Sequence, residues 1–245
     1  MHLCGWAGFS YTSRMTGYGQ FCPVAKAAEV FSERWTPLIL REMLHGSHRF
    51  SELQRGLPRV SQSLLAGRLK RLERDGVIER RRGIADRGWE YHLTPAGEEA
   101  GQIVEALGAW GYRWATAQLR ADDLDPDVLL WFIHRHVNVE RLPARRVVVQ
   151  FDLRDHRKKH WWLILKRPEV ELCIRDEGFE VDLTVTTDTL ALTQVYLGRV
   201  PLAQAIAGGT VVVDGPRDLA RGLVRWIGVS QYVRYGLPPA NSVAG

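Results

Sequence analysis

Hydrophobic positions recur at helical spacing through the first half of the chain and at strand spacing through much of the second. Cys22-Pro23 predicts the start of a helix carrying Val24, Ala27, Ala28 and Phe31, and Thr36-Pro37 the start of a second carrying Leu38, Ile39, Met43 and Leu44, stopped by Gly46. Both place proline at the first helical position, where its missing N–H costs nothing. Ser51 to Gly56 reads as a short helix broken by Leu57-Pro58. Ser61 then suits a helix cap, with Leu65, Leu69 and Leu72 as an inward stripe and Gly76 as the stop. Residues 77–82 and 89–93 are strand-like, joined by a turn at 83–88. Thr94-Pro95 opens a long helix to about Leu119, with Glu98 and Glu99 near its N-terminal dipole. Its apolar stripe is Ile103, Leu107, Trp110 and Trp114. That stripe serves either dimerisation or packing on its own domain.

Residues 121–125 read as a linker, and Asp125-Pro126-Asp127 begins a helix to about Glu140. The period then changes to two in Val147-Val149-Phe151-Leu153, Trp161-Leu163-Leu165, Val170-Leu172-Ile174 and Phe179-Val181-Leu183-Val185. Such alternation marks antiparallel strands with one buried face. Helices follow at 189–197, 201–206 and 216–227, with a strand at 210–214. The expected fold class is thus a mainly α unit with a hairpin, followed by an α+β domain whose antiparallel sheet is packed by helices. Gly236 to Gly245 reads as a tail.

The chain's 245 residues suffice for one large domain or two ordinary ones, and 45% hydrophobic with 25% charged residues is a globular balance. No stretch approaches the ~18 apolar residues of a membrane helix. Residues 1–17 lack an apolar run or a basic leader, so they are not expected to be a signal peptide. They read as a disordered tail, or Met15 as the natural start, against the alternative of an ordered extension. Three cysteines without paired spacing, Cys4, Cys22 and Cys173, argue against disulfides or zinc and for a reducing cytoplasm.

The net charge of +5 is unevenly placed. Residues 1–120 hold 17 Lys+Arg and 12 Asp+Glu, residues 121–245 hold 16 of each, and Arg49 to Arg87 alone holds 11 basic against 5 acidic. A surplus centred on a capped helix and a hairpin points to a polyanion, with a merely solvated basic face as the bland alternative. On a helical wheel Ser63, Gly67, Lys70, Arg71 and Arg74 fall opposite the leucine stripe. The first turns of such a helix enter the major groove, so Ser61, Gln62, Ser63 and Ala66 are the candidates for base edges. Gln62 suits adenine, and Ala66 and Gly67 permit close approach. Arg59, Lys70, Arg71 and the hairpin arginines Arg80, Arg81, Arg82 and Arg87 are candidates for phosphates.

Five stretches carry a family resemblance: Phe21-Cys22-Pro23-Val24, Arg34 to Glu42 (RWTPLILRE), Arg49-Phe50-Ser51-Glu52-Leu53, Leu64 to Glu73 (LLAGRLKRLE) and Glu90 to Gly97 (EYHLTPAG). Over residues 18–115 the chain resembles the HxlR-type winged helix-turn-helix regulators. The resemblance implies a homodimeric cytoplasmic transcription factor, by analogy a repressor, on a two-fold-related double-stranded DNA operator. Residues 18–120 are then the DNA-binding and dimerisation domain, with Leu107, Trp110 and Trp114 at the dimer contact. Many such regulators end soon after the last helix, whereas this chain continues for about half its length.

Residues 126–230 resemble the sterol carrier protein type two fold in the strands above, in Phe179 to Val185, Asp188 to Leu192 and Tyr196-Leu197-Gly198, and in Ala207 to Gly215. The resemblance implies a pocket for an apolar small-molecule effector, or a dimer-stabilising module, over 126–235. Trp131, Phe132, Trp161 and Trp162 are candidates to line the pocket, with plain core as the alternative. Cys22, before Pro23 and one turn from Lys26, sits where helix N–H groups and a cation favour thiolate. Some members of the resembled family sense oxidants through a cysteine there. Cys22 is therefore a candidate redox sensor, with a small buried residue as the alternative.

No phosphate-loop, nucleophile-elbow or metalloprotease motif is present, so neither an enzyme nor a cofactor is expected. His134 and His136 lie two apart on a helix, and His156 and His160 flank a basic loop, a weak basis for metal ligation. The competing class is a small-molecule or lipid carrier with the first half as a dimer scaffold.

Overall fold

The computed structural model describes residues 17–83, 88–117, 119–157, 159–178 and 180–236. Apart from Gly17 and Gly236, the two expected tails and the start at Met15 lie outside them, as does Phe179.

The first half folds as α1 (Pro23–Phe31), α2 (Thr36–Leu44), α3 (Phe50–Gly56), α4 (Gln62–Arg74), β1 (Ile78–Arg82), β2 (Trp89–Leu93) and α5 (Pro95–Trp110). The leucine stripe of α4 is buried: Leu65, Leu69 and Leu72 join Ile39, Leu40 and Leu53 in one core. Each such side chain contributes roughly 1.5–3 kcal/mol on burial. Gly76, at φ +74°, takes the left-handed turn that ends the helix. β1 and β2 pair antiparallel from Ile78 with Leu93 to Arg82 with Trp89, forming the wing. The start of α5 packs closely against the residue before β1: a Cβ at Gly97 would overlap the carbonyl of Val77.

The final helix of this half is shorter than its pattern predicts. After Trp110 the backbone widens into a π-helical turn, Gly111–Ala115, closed by the Thr116 N–H donating to the Gly111 carbonyl at 3.0 Å. The turn swings Tyr112 inward, where its hydroxyl donates to the Leu197 carbonyl at 2.8 Å. The helix therefore stops short of Leu119.

The second half contains α6 (Pro126–Arg135), β3 (Val147–Leu153), β4 (His160–Lys166), β5 (Glu169–Cys173), β6 (Leu183–Thr187), α7 (Thr189–Tyr196), α8 (Leu202–Ala207), β7 (Val212–Asp214) and α9 (Arg217–Trp226). The sheet runs β5-β4-β3-β6-β7. It is antiparallel at every seam but β3–β6, which is parallel. Alternation in the sequence does not encode that direction. α6 ends at Arg135 rather than near Glu140 because the Asn138 N–H is taken by the Trp226 carbonyl at 2.8 Å. A 3-10 turn, Val139–Arg141, follows.

The expected linker is itself ordered. Ala121–Asp123 is a 3-10 turn, and Asp125 caps α6 by accepting from the N–H groups of Asp127 and Val128 at 3.0 and 3.3 Å. The two halves meet around Glu42 of α2, which is 1% exposed. Its carboxylate accepts from Arg41 at 2.9 Å, from the indole N–H of Trp131 at 3.0 Å and from Arg135 at 3.3 Å, the last two on α6. A Cβ at Gly56 would overlap that carboxylate, so α3 needs glycine there. Arg135 also donates to the His45 carbonyl at 2.8 Å and to the Ser47 hydroxyl. Further bonds join Arg199 to Thr116 and Arg234 to Glu105.

Candidate nucleic-acid interface

The interface is built at the start of α4. Ser61 is in extended conformation and its Oγ accepts from the Leu64 N–H at 3.3 Å, with Ser63 Oγ at 3.3 Å. A capped, polar N-terminus is what a groove-entering helix requires, since the cap satisfies the helix while leaving the outer side chains free. Ser61, Gln62, Ser63 and Ala66 are all exposed, and a Cβ at Gly67 would meet nothing within 4 Å. Lys70 is exposed on the same helix. Among the described residues Gln62 and Lys70 have no side-chain partner. They are free to bond elsewhere.

The arginines divide. Arg71 departs from its expected role: its guanidinium bonds Glu33 and donates to the Glu29 carbonyl at 3.0 Å, with Asp75 at 3.6 Å. Arg68 reaches the same Glu33 at 2.6 Å. One carboxylate thus holds two arginines and clamps α4 to the α1–α2 connection. These bonds hold the Arg71 guanidinium against its own domain. The clamp escaped sequence reading because Glu33 is 38 residues away and no local spacing pairs the two. Arg59 is exposed, with Asp125 at 3.7 Å.

In the wing, Arg80 and Arg82 bracket the Trp89 ring at 4.3 and 4.7 Å, which stiffens the strand ends. Arg81 is exposed and paired with Glu79. Arg87 lies outside the described residues.

Cys22 is exposed, which removes the buried-residue alternative. It precedes α1 without a side-chain capping bond, and Lys26 is already paired with Glu29 at 3.0 Å. The cation expected to favour its thiolate therefore has a carboxylate of its own. The α5 stripe is only partly covered by its own chain: Ile103, Leu107, Trp110 and Trp114 are 41%, 49%, 62% and 44% exposed.

The four aromatics expected to line a pocket are engaged differently, and Trp162 is buried with its indole N–H donating to Gln150 at 3.0 Å. Trp161 is sealed in the core of the second half, its indole N–H donating to Asp127 at 2.8 Å. Phe132 lies under the Arg41 guanidinium at 4.7 Å and stacks on Tyr196. Trp131 lies at the junction with Glu42 and lines a cleft there. His134 and His136 do diverge, to the carbonyls of Val170 and Phe132 at 2.8 Å each. His160 is bonded to Asp152 at 2.6 Å, while His156 lies edge-on to Trp161. No group of three or more His, Cys, Asp or Glu among the described residues is placed to hold a metal ion. None of their helices is long and apolar enough to cross a membrane.

A helix pair with a capped reading helix, followed by a two-stranded wing, defines a winged helix-turn-helix unit of the kind found in transcriptional regulators. Residues 30–119 match the HxlR-like helix-turn-helix family, and residues 138–227 match the SCP-2 sterol transfer family. The chain is 38% identical over 98 residues to the HTH-type transcriptional regulator YvaP of Bacillus subtilis (strain 168), covering 39% of this chain and 90% of that protein. It is 37% identical over 94 residues to the regulator YtfH of Escherichia coli (strain K12), covering 38% and 75%. The reduced form of the regulator YodB from B. subtilis is 31% identical and covers 38% of this chain and 92% of that one, with a TM-score of 0.34. The protein belongs to the HxlR-like helix-turn-helix family and carries an SCP-2 domain behind the DNA-binding unit.

Proposed function

We propose that this protein is a cytoplasmic transcriptional repressor that binds a two-fold-related operator as a homodimer and responds to a small molecule through its C-terminal half. The observation that carries the reading is the exposed outer face of α4, where Gln62 in the first turn is free for a base edge and Lys70, two turns on, for a phosphate. Ser61, Ser63 and Ala66 complete the groove-facing surface, with Arg59 and Arg81 flanking it. Residues 18–120 act as the DNA-binding unit and 126–235 as the responsive one, joined through 121–125.

Dimerisation uses the apolar surface of α5 and the π turn, with Leu107, Trp110 and Trp114 at its centre. Phe21 and Val24, 99% and 76% exposed, add to the uncovered apolar area. Exposed surface of this kind is usually an interaction site. Cys22 serves as a secondary, thiol-based input because it is open to solvent-borne electrophiles. Equal operator affinity of Cys22→Ser and wild type after peroxide or quinone would remove that input.

The deciding experiment is operator selection from genomic fragments, followed by affinity measured against salt. Sequence-specific binding whose logarithm falls steeply with log salt supports the reading. Absent or salt-insensitive binding would leave a carrier with a dimer scaffold. Raised transcription of the adjacent operon on deletion supports repression.

A further inference from the structure

Between the two halves lies a cleft of about 470 Å3. One wall comes from the helix-turn-helix unit, with His45, Glu52 and Arg55. The other comes from α6 and the edge strand β5, with Trp131, His134 and Glu171. Arg55 belongs to α3, the helix that leads into the reading helix. Whatever spans this cleft therefore bears on how α4 is presented.

The charges in the walls are unequally matched. Glu52 is spent on capping α3, accepting from the N–H groups of His48 and Arg49 at 2.8 and 3.0 Å. Arg135 is matched by Glu42. Arg55 and Glu171, by contrast, are exposed, and among the described residues neither has an ion-pair or hydrogen-bond partner. Arg55 rests over the Trp131 ring at 5.3 Å. Each domain thus borders the cleft with one charged residue that has no ion-pair or hydrogen-bond partner among the described residues, a cation from one and an anion from the other.

Two buried polar atoms in its lining residues are also unmet, Nε of Arg135 and Nδ1 of His134. His134 Nε2 lies 2.8 Å from the Val170 carbonyl, so it is the nitrogen that carries the proton and Nδ1 keeps its lone pair. Burial holds this imidazole below its ordinary range, consistent with a neutral ring. One unmet donor and one unmet acceptor accompany the two free charges.

We propose that the cleft binds a free amino acid or a similar small zwitterion, with its carboxylate on Arg55 and its ammonium on Glu171. A zwitterion answers both charges and brings no net charge into a site whose other ions are matched. A fatty acid would satisfy Arg55 but face Glu171, and an amine would do the reverse, so each lone charge selects against the wrong ligand. The inference rests on the C-terminal half being ligand-responsive, but it assigns a different place and ligand class from an apolar pocket inside that half.

The test uses the full chain, with each proteinogenic amino acid, a fatty-acid series and apolar aromatics as probes in thermal-shift and calorimetric titrations. Any amino acid that binds is repeated as its decarboxylated amine and its deaminated acid, and against Arg55→Gln and Glu171→Gln. Both substituted side chains are exposed, so the variants are expected to melt like wild type without ligand. The expected result is an amino acid whose affinity falls at least about tenfold in either truncated probe and in either variant. Amino-acid binding that ignores both variants overturns the assignment. Binding only of apolar probes, unchanged in the variants, overturns the cleft while leaving a ligand-responsive domain. No binding by any probe overturns both.

Discussion

Glu42→Gln tests whether the two halves are joined by a buried charge network. The native carboxylate is 1% exposed. One oxygen takes the Nε and Nη2 of Arg41 at 3.2 and 2.9 Å, and the other takes Trp131 and Arg135 at 3.0 and 3.3 Å. Glutamine keeps the volume and one accepting oxygen, but it turns an amide N–H2 toward one pair of donors. The side chains of Arg135 and Arg41, 10% and 19% exposed, then keep charges that water reaches poorly. Removing one member of a buried ion pair costs about 3–5 kcal/mol. At roughly 2–4 °C per kcal/mol for a chain of this size, the melting temperature falls by about 6–20 °C. Differential scanning calorimetry of the full chain measures the fall and shows whether the halves begin to melt separately. Trp131→Phe removes one hydrogen bond to a charged acceptor and is expected to cost less, about 1.5–3 kcal/mol. The paired change Glu42→Leu with Arg135→Met leaves Arg41 and the Trp131 indole N–H without their acceptor but strands no Arg135 charge, and it is expected to be milder than Glu42→Gln. A Glu42→Gln protein melting within about 2 °C of wild type would refute the reasoning.

Other substitutions separate reading from positioning. Gln62→Ala is expected to cost about 1–3 kcal/mol on the preferred operator and to relax preference at one base pair, whereas Lys70→Ala weakens all sequences alike and lowers the salt slope by about one. Arg71→Met is expected to lower the melting temperature with no change in salt slope, because its partners are Glu33 and the Glu29 carbonyl; an altered slope would return it to the phosphate contacts. Leu107→Glu with Trp110→Glu is expected to yield monomers by light scattering and to lose operator binding, and a persistent dimer would relocate the interface. Burial holds the imidazoles of His134 and His136 below their ordinary range. The native state therefore binds fewer protons than the unfolded chain just below about pH 6.5. Stability from this source is complete above that pH and is lost as pH falls from it toward the native values. Urea midpoints between pH 8 and 5 are expected to decline accordingly, with a shallower decline in His134→Gln, which keeps a donor for Val170.

Local physics made much of this protein legible from its residues. A cap at Ser61, leucines at spacings of four and three and a glycine stop are short-range instructions, and the structure carries out each of them at α4. The same holds for the wing, for the Thr94 cap of α5 and for most strands of the second half. What the pattern left open was direction and partnership. Alternation shows that β3 and β6 each have a buried face, but only chain routing makes them parallel. A wheel shows Arg71 pointing away from the leucines, but only the fold brings Glu33 to it. Glu42 and Trp131 are 89 residues apart, and nothing near either signals the other. Periodicity follows from backbone geometry that repeats every few residues, so the sequence alone determined which elements form and which faces they bury. Ion pairs between distant side chains depend on how those elements pack, so only the tertiary structure decided which carboxylates the arginines of the first half meet and how the second domain is fastened to the first.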